Sequence, residues 1–203
     1  MECKRSREEI LQGFGFRPDR KTVLLMGGSL GARTLNESVM GNLSLIGESG
    51  VQFIWQTGGY YFPQLKERLK QAGKPDNLFV TDFISRMDEA YAAADLVISR
   101  AGASSISELC LLGKPAILVP SPNVAEDHQT KNAMALVDKD AALCVTDAEA
   151  VDKLIALALA TVADEGRLDR LSRNIKKLAF ADSADRIADE VYKLAVAYRE
   201  RKK

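Results

Sequence analysis

The sequence predicts an α/β protein built on a doubly wound parallel sheet of six strands, with helices on both faces. Three observations carry this. Short apolar runs alternate with segments whose apolar residues recur at helical spacing. The short runs are almost continuously apolar, as strands buried on both faces must be. Several of them end in glycine-rich or small-residue turns, and in such a sheet the ligand crevice lies at the carboxyl ends of the strands.

Each element follows in chain order. Ser6-Arg7-Glu8-Glu9 is a capping-box pattern, so a helix begins almost at once. No strand-like run precedes it, and the chain reads as one piece of a larger protein. Thr22 to Met26 is the first strand and runs into Gly27-Gly28. Arg33 to Ile46 reads as one helix, with Leu35, Val39, Leu43 and Ile46 on its apolar face. Val51 to Trp55 is the second strand, closed by Gly58-Gly59, and Phe62 to Ala72 a helix with Leu65 and Leu69 inward. Asn77 to Val80 is a strand and Arg86 to Ala94 a helix. Leu96 to Ser99, Ala116 to Val119 and Ala142 to Val145 complete the strands, separated by helices from Ser104 to Leu112 and from Asp127 to Val137. The last third is helical: Asp147 caps a segment through Ala163, Arg167 to Ala179 forms another, and Asp182 or Ser183 opens the final helix. Ile187, Val191, Leu194 and Tyr198 make one apolar stripe on that helix, expected to dock on the domain's own core.

Composition removes several function classes. The 28 basic residues are balanced by 28 acidic ones, which argues against nucleic acid as the main partner. The closing Arg199-Glu200-Arg201-Lys202-Lys203 reads as a solvated tail. Cys3, Cys110 and Cys144 are scattered without zinc-ligand spacing, which points to a reducing compartment; Cys110 and Cys144 lie in apolar runs and read as core. No apolar run reaches the roughly 18 residues of a membrane span, and the charged start from Met1 to Ile10 is no signal peptide.

The richest stretch is Arg100-Ala101-Gly102-Ala103-Ser104-Ser105-Ile106-Ser107-Glu108-Leu109. It leaves a strand and opens a helix, and its small residues let backbone N–H groups face a ligand. Such a helix start suits a phosphate. Glu108 lies one turn inside, within reach of a sugar hydroxyl beside that phosphate. The stretch reads as a pocket for a nucleotide-sugar diphosphate; the plainer alternative is an ordinary strand-to-helix turn.

Gly27-Gly28-Ser29-Leu30-Gly31-Ala32 departs from the spacing of a dinucleotide fingerprint, and the second strand closes with Gln56-Thr57-Gly58, without an acid for a ribose. It is not a Walker A loop either, since Gly31 is followed by Ala-Arg. What remains is a turn that lets backbone approach a ligand closely, with Ser29 as a hydroxyl donor. A third loop, Pro120 to Ala133, crowds polar groups at the same edge, among them Gln129, Asn132 and His128, the single histidine. Amides and an imidazole can read sugar hydroxyls. His128 is the one candidate catalytic base, although spacing places no acid to tune it and a helix-start hydrogen-bonder is the plainer role.

Taken together, GGSLGART-N (Gly27 to Asn36), TDFISRM (Thr81 to Met87), SRAGASSISEL (Ser99 to Leu109) and AEDHQTKNA (Ala125 to Ala133) resemble the carboxyl-terminal half of the MurG family of bacterial GlcNAc transferases, over about Arg7 to Ala197. The resemblance implies a Rossmann-like domain, the carboxyl-terminal half of a GT-B glycosyltransferase. Residues 1–203 would form a single nucleotide-sugar-binding domain, the acceptor domain being absent. It implies UDP-GlcNAc as donor, held by Ser29 and the backbone of Ala103, Ser104 and Ser105 at the diphosphate, Ile84 at the uracil and Glu108 at the ribose. His128 and Gln129 would lie at the GlcNAc, where some members carry two glutamines; Gly28 and Arg100 complete the set. The family's reaction inverts at the anomeric carbon: the 4-hydroxyl of an undecaprenyl-linked muramyl acceptor attacks as UDP leaves, converting lipid I to lipid II in peptidoglycan synthesis. No Asp-x-Asp box is read on a loop, so neither metal nor cofactor is expected. The setting implied is cytoplasmic, peripheral on the inner face of the bacterial membrane, with membrane contact only through the missing half. Three alternatives share this wording in part: the lone catalytic subunit of a two-subunit lipid-linked GlcNAc transferase, a UDP-GlcNAc 2-epimerase and a nucleotide-binding regulator.

Overall fold

The structure, a computed structural model, describes residues 4–180 and 182–200. Cys3 and the tail beyond position 200 lie outside these. Ser6 accepts from the backbone N–H of Glu9, and the Glu9 carboxylate accepts from the backbone N–H of Ser6, so helix α1 (Arg7–Gly13) starts on the expected capping box. The sheet follows as β1 (Thr22–Met26), β2 (Gln52–Gln56), β3 (Leu78–Thr81), β4 (Leu96–Ser99), β5 (Ala116–Leu118) and β6 (Leu143–Cys144), each within a residue or two of its apolar run. Its order is β3-β2-β1-β4-β5-β6, all parallel, so the order reverses beside β1 and a crevice opens at its carboxyl end.

Alternate side chains of each strand feed different cores. Val23, Leu25, Phe53, Trp55, Leu96 and Ile98 face one side. There they meet α2 (Arg33–Met40), α3 (Leu43–Glu48), α4 (Phe62–Ala72) and α8 (Asp147–Ala163). Leu24, Ile54, Val97 and Leu118 face the other. Their neighbours are α1, α5 (Met87–Ala93), α6 (Ala103–Leu112), α7 (His128–Val137) and the end of α9 (Glu165–Lys176).

Four expectations need correction. The helix expected from Arg33 to Ile46 is two, because Gly41 ends α2 and Asn42 leaves helical geometry at φ −125°, ψ 25°. The Asn42 side chain then donates to the carbonyls of Ser38 and Val151, which holds the bend against α8. Thr146, not Asp147, caps α8; Asp147 is its first residue, and its carboxylate turns toward the sheet edge. Cys144 is only half-buried, whereas Cys110 is buried as expected. Finally, α10 (Ser183–Glu200) does not bury its stripe: Ile187, Val191 and Leu194 are 66%, 61% and 70% exposed. Among the described residues no helix is long and apolar enough to cross a membrane.

Candidate functional site

A cleft of about 220 Å³ opens at the carboxyl edge of the sheet, where β1, β3 and β4 deliver their loops. The turn after β1 supplies Gly27, Gly28 and Ser29, the loop after β3 Phe83 and Ile84, and the start of α6 Ser105 and Glu108. Met26, Gln56 and Tyr91 line it as well. Six of the ten candidate binding residues are thus walls of one cavity: Gly28, Ser29, Ile84, Arg100, Ser105 and Glu108.

Helix α6 begins at Gly102, which is extended and offers no side-chain cap. The N–H groups of the first turn have no intrahelical acceptor, and they project beside the cleft from Ala103, Ser104 and Ser105. Ala103 and Ser104 lie just outside its walls. The helix end therefore presents partial positive charge to the cavity mouth.

Glu108 is half-buried one turn further in, and Tyr91 donates its hydroxyl to Glu108 Oε2 at 2.9 Å. Burial, reinforced by this hydrogen bond and by the carboxylate's charge, pushes the Tyr91 phenol well above its ordinary value. The phenol therefore stays protonated and donating at any ordinary pH. It occupies one Glu108 oxygen and leaves the other free to accept from a ligand.

Arg100 is a wall of the cleft, but its guanidinium is held from behind. Nη1 donates to Asp147 Oδ1 at 2.5 Å and to the carbonyls of Pro120 and Val119 at 3.1 and 3.2 Å. Asp147 Oδ2 accepts from Thr34 at 2.9 Å. This arrangement ties the start of α6 to β5, α8 and α2, and it balances the Arg100 charge internally.

The glycines divide into two kinds. Gly28, at φ +80°, opens onto space: a Cβ there would meet nothing within 4 Å, as a turn facing a ligand requires. Gly31 and Gly58 serve each other instead: a Cβ on Gly31 would lie 2.2 Å from Thr57 O, and one on Gly58 2.2 Å from Gly31 N. The expected close approach of backbone to ligand is, at these two, an approach of backbone to backbone.

His128 and Gln129 lie apart from the cleft walls, at the start of α7 just after the loop that follows β5. His128 is exposed, and its Nδ1 donates to Ala125 O at 2.8 Å. Gln129 Oε1 accepts from the N–H of Ser121. Glu126 and Asp127 just before them are left-handed at φ +53° and +51°, an uncommon conformation for such residues in succession. Asn132 donates to Ala101 O and so joins this loop's helix to the start of α6.

Sequence reasoning misses Tyr91, Phe83 and Gln56. Tyr91 falls within the helix expected from Arg86 to Ala94 with nothing to single it out, Phe83 sits inside a motif without a chemical signature, and Gln56 reads only as the absence of an acid. One triplet also escapes it: Asp138-Lys139-Asp140 is an Asp-x-Asp pattern. It lies in the turn after α7, at the end of the sheet away from the cleft, with Asp140 paired to Arg170 at 2.7 Å.

Comparison with known proteins identifies relatives of this chain. The model of the Glycosyltransferase family 28 C-terminal domain matches residues 22–187. The UDP-N-acetylglucosamine–N-acetylmuramyl-(pentapeptide) pyrophosphoryl-undecaprenol N-acetylglucosamine transferase of Bacteroides thetaiotaomicron is 62% identical over 188 residues, which are 92% of this chain and 50% of that protein. Its Bacteroides fragilis counterpart is 61% identical, over 95% of this chain and 51% of that one. The crystal structure of Acinetobacter baumannii MurG superposes with a TM-score of 0.73 at 28% identity, over 93% of this chain and 53% of that one. The chain spans about half the length of the curated relatives it matches.

Proposed function

The chain belongs to the glycosyltransferase family 28 C-terminal domain family, and from that premise we propose that it is the donor half of a UDP-GlcNAc-dependent transferase acting on a lipid-linked muramyl acceptor. The observation that carries the reading is the pairing, in one cleft, of an uncapped helix start with a carboxylate held one turn inside it. A nucleoside diphosphate fits that pairing: its phosphates match the amides at 103–105 and its ribose hydroxyls match Glu108. Ile84 and Phe83 close the far wall, where the uracil would lie. Identity of about 60% to relatives named as GlcNAc transferases favours transfer over epimerisation or regulation.

In this proposal the reaction is an inverting displacement. The acceptor's 4-hydroxyl attacks the anomeric carbon and UDP departs with growing negative charge on its diphosphate. Amides already aimed at that position stabilise the charge without reorganising. Arg100 contributes by fixing the helix start, since Asp147 already neutralises it. His128 and Gln129, at the start of α7, would meet the sugar, and the acceptor would be bound by the half that the longer relatives carry. The setting would be the cytoplasmic face of the membrane, reached through that other half.

Calorimetric titration of this chain with UDP and UDP-GlcNAc tests the donor reading, and a transfer assay with a lipid-linked acceptor tests the division of labour. Binding of both nucleotides without turnover is expected. No binding at millimolar UDP would remove the donor reading, and turnover by this chain alone would remove the need for a second half.

A further inference from the structure

Gln56 is 4% exposed, and its carboxamide makes four hydrogen bonds. Oε1 accepts from the N–H groups of Gly27 and Gly28, each at 3.1 Å. Nε2 donates to Gly28 O and to Asp82 O, each at 2.8 Å. That uses both donors and both lone pairs of the amide. The backbone register explains the reach: Gln56 ends β2 opposite Met26 at the end of β1 and opposite Thr81 at the end of β3. The glycine turn and the Phe83–Ile84 loop therefore leave the sheet on either side of it.

We propose that Gln56 is a positioning residue for nucleotide binding: it clamps the Gly27–Ser29 turn to the loop at Asp82–Ile84 and so sets the spacing between the diphosphate and base ends of the cleft. The proposal rests on the donor-site reading above. Its physical content is that the Gly27 and Gly28 amides are already occupied, so the turn meets a ligand through Ser29 and through the open face of Gly28. Without the clamp the turn keeps its backbone hydrogen bonds to Gln56 O and from Gly59 N–H, but among the described residues none to Asp82–Ile84. A glutamate offers nothing to the two carbonyls, a methionine fills the space but makes none of the bonds, and an asparagine is one methylene too short to reach both sides. The carboxamide at this length is thus a specific requirement of the cleft, placed where a dinucleotide site would carry an acid.

The test compares UDP with uridine on the unsubstituted chain, Gln56→Glu and Gln56→Met, well below their melting temperatures. Loss of the clamp should weaken UDP at least tenfold and uridine less than threefold, because the base wall survives while its spacing from the diphosphate wall does not. A merely structural role would lower the melting temperature and leave the ratio of the two affinities unchanged, and that outcome overturns the proposal. If neither variant folds, the Gln56 side-chain amide protons decide the matter in the unsubstituted chain: they should shift during UDP titration with the same midpoint as the Gly28 and Ile84 amides. Side-chain protons that stay still while both backbones respond also overturn it. Failure of the unsubstituted chain to bind UDP would instead remove the donor reading, and this proposal with it.

Discussion

Tyr91 on α5 and Glu108 on α6 meet at the back of the cleft, the phenol donating to the carboxylate at 2.9 Å. The contact joins two helices that sequence separates by a whole strand, and it decides which Glu108 oxygen a ligand can use. It also makes the stability of the fold depend on alkaline pH, through a group that is not itself a ligand.

Replacing Tyr91 with Phe should cost about 1.5 kcal/mol of stability at neutral pH, the lower end for a hydrogen bond to a charged group. The pH dependence carries more information. The phenol's value is raised in the folded chain above its ordinary 10, chiefly by burial. Above pH 10 the unfolded chain has released this proton while the folded chain still holds it, so rising pH favours unfolding. The contribution is complete below that ordinary value and is lost as pH climbs toward the folded one. Urea midpoints at about pH 8 and about pH 10.5 should therefore fall further for the unsubstituted chain than for Tyr91→Phe. Equal falls would show that the phenol is not held protonated.

Glu108→Ala should weaken UDP by roughly 1.5–3 kcal/mol, the worth of a hydrogen bond to a charged group. Glu108→Gln, which can still accept from Tyr91, should lie between the two. Glu108→Ala should no longer distinguish UDP from an analogue lacking both ribose hydroxyls, and Glu108→Gln should do so only in part, whereas the unsubstituted chain should distinguish them fully. Calorimetry with the two nucleotides checks this, and unchanged UDP affinity in Glu108→Ala would make the carboxylate purely structural.

Gly31→Ala and Gly58→Ala should each destabilise the fold by about 3 kcal/mol, since each combines a positive φ with a Cβ driven into backbone. Gly59→Ala is the control. It meets nothing within 4 Å and should stay within about 0.5 kcal/mol of the parent. Chemical denaturation separates the cases, and similar values for all three would mean that the two turns can part without cost.

The sheet is legible in the sequence because parallel strands buried on both faces appear as short apolar runs. The wall residues after β1 and β4 are legible because small residues at strand ends are chemically distinctive. The break at Gly41–Asn42 is not, since the apolar period of α2 continues into α3 across the bend. Arg100 and Asp147 are 47 positions apart, and neither reads as the other's partner. Gln56 is invisible because a glutamine ending a strand has no signature until its two neighbouring strands are known. For α10, periodicity reports an apolar stripe but not what covers it, so the expectation of self-docking has no sequence warrant that the exposed Ile187 and Leu194 could satisfy.

The hydroxyl of Thr161 in α8 is fully buried and, among the described residues, is the one buried side-chain polar atom without a hydrogen-bond partner. A buried group in this state costs its desolvation without recovering a bond. Valine has the same shape and a comparable helix propensity, so Thr161→Val should stabilise the fold by about 1 kcal/mol. Thr161→Ser keeps the hydroxyl and removes the methyl that packs, and it should destabilise by about 1 kcal/mol. Urea midpoints measure both, and UDP affinity should not move, because α8 reaches the cleft only through Asp147 at its first turn. A lower midpoint for Thr161→Val would show that the hydroxyl has a partner in solution, an internal water being the chemistry that fits.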